Sequence, residues 1–84
     1  MKGYIVTMHN GVRRYHLITP YGGTISESLE ETKLRASFGM EFLKGISYPD
    51  YATREKLVAW YESTNRGRIV GEFTVEVEGE ETIS

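Results

Sequence analysis

Eighty-four residues, 39% of them apolar, describe a single domain (1–84) with one modest core, to which six Tyr, three Phe and one Trp are the largest contributors. The absence of cysteine excludes disulfides and thiolate zinc sites. No apolar run reaches the ~18 residues of a membrane helix and no signal-peptide stretch opens the chain, so a non-membrane, cytoplasmic protein is expected, and a net charge of −2 argues against general affinity for phosphate polymers.

The first element is a hairpin over residues 3–19. Asn10-Gly11 lies between two alternating runs, and Asn-Gly is the preferred pair for a two-residue type I′ turn. That turn sets Tyr4 opposite Leu17, Val6 opposite Tyr15 and Ile5 opposite His16. One face then gathers Tyr4, Val6, Met8, Tyr15 and Leu17 as core. The other carries Ile5, Thr7, His9, Val12, Arg14 and His16, and is open if helices cover a single side.

Pro20-Tyr21-Gly22-Gly23 reads as a loop. Thr24-Ile25-Ser26-Glu27 fits a capping box, with Ser28-Leu29-Glu30-Glu31 as a second frame, so a helix is expected over about 26–38. Ile25, Leu29, Thr32, Ala36, Met40 and Leu43 form a helical stripe. Leu34, Ala36, Phe38, Met40 and Phe42 also alternate as a strand would. Residues 40–44 are therefore helix or a short strand, with Gly39 a left-handed cap in the second case.

Pro49 biases Tyr48 to extended geometry. A second helix is expected over about 52–64, with Thr53, Leu57, Trp60, Tyr61 and Thr64 along one side and Asn65-Arg66-Gly67 as its stop. The strand 68–78 closes the fold: Ile69, Gly71, Phe73, Val75 and Val77 alternate with Glu72, Glu76 and Glu78. Residues 79–84 read as a frayed acidic tail. The fold class is α+β: a small antiparallel sheet with both helices on one face.

No catalytic constellation emerges. His9 and His16 share a hairpin face without facing each other, and no third histidine or cysteine exists to complete a metal site. No nucleophile elbow or P-loop is present. Neither metal nor cofactor is expected. The leading reading is a small non-enzymatic protein-binding module, a regulator or inhibitor; proteins of viruses and mobile elements often have this size and composition. Its contact residues are expected to be Thr7, His9, Arg14 and His16 on the open sheet face, the loop aromatics Tyr21, Tyr48 and Tyr51, and the acids Glu72, Glu76 and Glu78. Successive residues on one strand face are ~6.8 Å apart, similar to phosphate separation along a strand, so the alternating acids could mimic phosphates.

The alternative is nucleic-acid or nucleotide binding through the open hairpin face, and the third reading is a small enzyme using a histidine. A homodimer through sheet edges is a further expectation.

Overall fold

A computed structural model of the chain describes residues 1–79. Strands β1 (Lys2–Met8) and β2 (Arg13–Thr19) form the expected hairpin, but its turn holds three residues, His9-Asn10-Gly11. Met8 N–H donates to Val12 C=O at 2.8 Å, and Gly11 N–H donates to Met8 C=O at 2.9 Å. Gly11 alone in the loop has positive φ, +85°. Asn10 keeps ordinary backbone geometry, and its Oδ1 accepts from Val12 N–H at 3.1 Å. This is a type I turn closed by a glycine bulge, which needs one left-handed residue where type I′ needs two.

The extra loop residue moves the ladder by one. Tyr4 stands opposite His16, Ile5 opposite Tyr15, Val6 opposite Arg14 and Thr7 opposite Arg13. The expected register is corrected, and with it the face of every β2 side chain. Tyr4, Val6, Arg14, His16 and Ile18 share one face; Gly3, Ile5, Thr7, Arg13, Tyr15 and Leu17 share the other.

Residues 22–26, expected as loop and helix start, form a third strand, β3 (Gly22–Ser26), paired to β2. Its glycines permit close approach rather than flexibility. A Cβ on Gly22 would lie 2.7 Å from Tyr48 O, and one on Gly23 would lie 2.4 Å from Tyr51 Cβ. Gly23 exchanges two backbone hydrogen bonds with Tyr48, at 3.0 and 2.8 Å.

With the first capping frame taken up by β3, the second starts helix α1 (Leu29–Ser37). Ser28 Oγ accepts from Glu31 N–H at 3.0 Å. Gly39, at φ +98°, breaks the helix, and Met40–Ile46 continue as helix α2 rather than as a strand. A 3₁₀ turn (Pro49–Tyr51) leads to α3 (Arg54–Thr64), capped by Thr53 at one end and by Asn65 at φ 52° at the other.

Strand β4 (Gly67–Thr74) returns antiparallel to β1, giving the sheet order β3-β2-β1-β4. The ladder skips Val70: Val6 pairs with Ile69 and Ile5 with Gly71. This bulge splits the apolar row of the last strand between the two faces. Ile69 joins the core of Tyr4, Val6, Tyr51, Leu57 and Tyr61 beneath α3. Phe73 joins Leu17, Ala36, Leu43, Val75 and Val77 beneath α1 and α2. Helices therefore cover both faces, where packing on one face was expected. The α+β class stands.

The two sheet edges differ. The outer side of β3 is occupied: Tyr48 bonds Gly23, and Arg35 donates to Ile25 C=O at 2.5 Å and to Ser26 Oγ at 3.2 Å. β4 has no outer pairing among the described residues. Val75 and Val77 lie past the strand, buried, where Glu78 N–H bonds Ala36 C=O and Glu78 C=O accepts from Met40 N–H. The expected tail beyond Gly79 lies outside the described residues.

Candidate functional site

The residues expected to share one contact surface are dispersed by the corrected register. Thr7 goes to the face opposite Arg14 and His16. His9 is exposed in the turn. His16 has no solvent exposure at all. The slot that sequence reasoning assigned to an open face is the centre of the α3 interface.

His16 is held in an aromatic box. Its ring centroid lies 5.2 Å from that of Tyr51 and 5.5 Å from that of Tyr61, and Nε2 is 2.7 Å from the Tyr61 hydroxyl. Burial, with a smaller contribution from the Arg14 charge, lowers its pKa from 6.5 to about 4. Burial raises the Tyr61 phenol, and the Arg14 guanidinium opposes that rise by hydrogen bond and charge. The neutral ring can make the Nε2–Tyr61 hydrogen bond as donor in one tautomer and as acceptor in the other. Nδ1 is buried with no hydrogen-bond partner among the described residues. This is a neutral histidine wedged in a core.

The loop aromatics divide. Tyr21 is 42% and Tyr48 51% exposed, as expected of contact residues, with the Lys44 ammonium 5.4 Å from the Tyr21 ring centre. Tyr51 is 8% exposed and belongs to the core, a correction to its assignment as a contact residue. Its ring sits edge-on to Tyr48 and Trp60, and an open groove of about 500 Å³ runs beside Trp60 between Pro49 and Ser63.

The acids do not make a regular row. Glu72 lies in β4 and pairs with Lys2 at 3.2 Å. Glu76 and Glu78 are exposed but follow the strand in irregular backbone, so the strand spacing behind phosphate mimicry does not extend to them.

Two surfaces escaped sequence reasoning. The first is apolar. Leu34, Phe38 and Phe42 are 57%, 60% and 40% exposed at the α1–α2 corner, and the two Phe rings lie 5.1 Å apart. Leu34 and Phe38 sit four residues apart and share the outer side of α1 and its C-cap. The alternation read there as a strand was a signal of this patch: it counts apolar residues beyond what one helical stripe buries. The second surface is basic. The hairpin turn and the start of β4 meet, with His9 N–H bonded to Arg66 C=O at 2.9 Å. Arg13, Arg14, Arg66 and Arg68 thus collect at one end of the sheet.

Among the described residues, no group of three or more His, Cys, Asp or Glu side chains is placed to hold a metal ion, and no helix is long and apolar enough to cross a membrane. No family model, curated protein or solved structure matches this chain.

Proposed function

We propose that the chain is a small non-enzymatic protein-binding module that acts by occupying a surface of its partner. The observation that carries this reading is the Leu34–Phe38–Phe42 patch. Three large apolar side chains stand side by side in water, and contiguous exposed apolar surface marks protein contact sites on small soluble domains. Phenylalanine is enriched at the buried centre of such contacts. Lys33 and Glu41, both exposed, supply a polar rim. Tyr21 and Tyr48 are secondary anchors on a separate loop surface.

The test is site-specific photocrosslinking in the native host. A benzophenone side chain at position 38 is expected to yield one discrete adduct that is lost when Phe42→Asp is added. The same probe at Lys56, exposed on α3, is expected to yield none. Equal adducts from both positions, or none from position 38, would overturn the proposal.

A further inference from the structure

The corrected register assembles a second surface that the protein-binding reading does not use. Arg13 and Arg68 both stand opposite Thr7, one on each side of β1, so the three residues form a row across three strands on one face. Strand spacing puts the two arginine Cα atoms ~10 Å apart. Both arginines are exposed, and among the described residues neither forms an ion pair. On the same face, Tyr15 stands opposite Ile5 and Phe73 opposite Gly3, both half-buried, with ring centroids 5.8 Å apart at 66°. Helices α1 and α2 pack over the β2–β3 side of this face, and among the described residues no helix packs as closely on its turn end.

We propose that this turn end of the sheet, Arg13, Thr7 and Arg68 with Tyr15 and Phe73 behind them, binds single-stranded nucleic acid. The guanidinium forks and the Thr7 hydroxyl meet phosphates, and Tyr15, braced edge-on by the core ring of Phe73, offers a base a stacking surface. A flat, sheet-borne arrangement of this kind suits unpaired bases; duplex grooves are read by inserted helices or ribbons.

The net charge of −2 weighs against general phosphate affinity, but the acid on β4 stands away from this row. Glu72 is four residues along β4 from Arg68, ~13 Å by strand rise, and it leaves on the opposite face, beside Lys2. Physiological salt screens charges beyond ~8 Å. Glu62 of α3 lines a cavity with Arg68 and forms no ion pair with it.

The experiment is fluorescence anisotropy with a labelled oligothymidylate of ~15 nucleotides, a single-stranded site size. Three phosphates neutralised by Arg13, Arg68 and the neighbouring Arg66 give a slope of about −2 in log K against log salt, hence a ~20-fold affinity loss between ~50 and ~200 mM salt. Arg13→Ala and Arg68→Ala are each expected to reduce that slope by ~0.7. Tyr15→Leu, which keeps apolar contact with Phe73, is expected to weaken binding ~10-fold. Lys56→Ala, at an exposed position of α3, should change nothing. Circular dichroism confirms folding of each variant, and the two exposed arginines keep the test valid if Tyr15→Leu does not fold.

Absence of binding at ~50 mM salt overturns the proposal. So does equal loss in Lys56→Ala, tighter binding to duplex of the same sequence, or equal affinity for polyglutamate.

Discussion

The Nε2 of His16 and the hydroxyl of Tyr61 lie 2.7 Å apart, in a space where His16 has no exposure to solvent. The contact joins β2 to α3 in a core whose burial disfavours the charged imidazolium. The folded pKa, about 4, lies below the unfolded 6.5, so the unfolded chain binds more protons in that interval. The contribution to stability is therefore complete above pH 6.5 and falls as pH drops toward 4. Its full size is about 3 kcal/mol. Urea unfolding at several pH values should show this loss in the native chain and a shallower loss in His16→Phe. Identical pH profiles would contradict it.

Tyr61→Phe separates the hydrogen bond from the packing. The ring stays, but both imidazole nitrogens become unpartnered in the core. The expected cost is about 1–3 kcal/mol, visible as a drop in melting temperature without change in circular dichroism.

Gly23 is the tightest point between β3 and the 3₁₀ turn. A Cβ there would meet Tyr51 Cβ at 2.4 Å and Tyr51 O at 2.5 Å, and two backbone bonds to Tyr48 hold the strand in place. Gly23→Ala should cost ~1–3 kcal/mol, the range for overpacking, or roughly 4–20 °C of melting temperature in a domain of this size. Gly45→Ala, with nothing within 4 Å of its Cβ, should be neutral or stabilising, since it lies inside α2.

At the α1–α2 corner, stability and binding should separate. Phe38→Ser with Phe42→Ser removes exposed side chains and is expected to change stability by less than ~1 kcal/mol. Leu43→Ala, fully buried between them and the sheet, should cost ~2–5 kcal/mol. Partner capture through position 38 should vanish in the double serine variant while its melting temperature stays near the native value. A large stability loss would instead make the patch structural.

Much of the fold was readable because local signals agreed. Helix periodicity placed α1 and α3, and the Ser28 and Thr53 caps follow from hydroxyl side chains in reach of free backbone N–H groups. Pro49 fell where the helical path had to restart. What failed was decided by tertiary contact or by one backbone angle. Gly22 and Gly23 looked like loop because glycine marks both flexibility and close approach, and only the position of Tyr48 and Tyr51 tells them apart. The Val70 bulge is invisible to a period-two count, so Ile69 and Phe73 were placed on one face.

The site was less readable than the fold. Exposure of Tyr21 and Tyr48 followed from their loop chemistry. Burial of His16 did not follow from its composition, because a single residue of register separates the solvent side from the core. The arginine pairs were visible in the sequence as two separate pieces. Their meeting depends on β4 docking beside β1, a pairing across more than fifty residues.

The hairpin register carries the account, because it fixes both the buried His16 and the Arg13–Thr7–Arg68 row. Nuclear Overhauser contacts between Hα protons report it directly, since the non-hydrogen-bonded pairs of an antiparallel ladder bring Cα atoms to ~4.5 Å. Strong Hα–Hα contacts are expected for Ile5 with Tyr15 and for Thr7 with Arg13. Contacts of Val6 with Tyr15 and of Met8 with Arg13 instead would return His16 to the other face and dismantle both the buried cluster and the basic row.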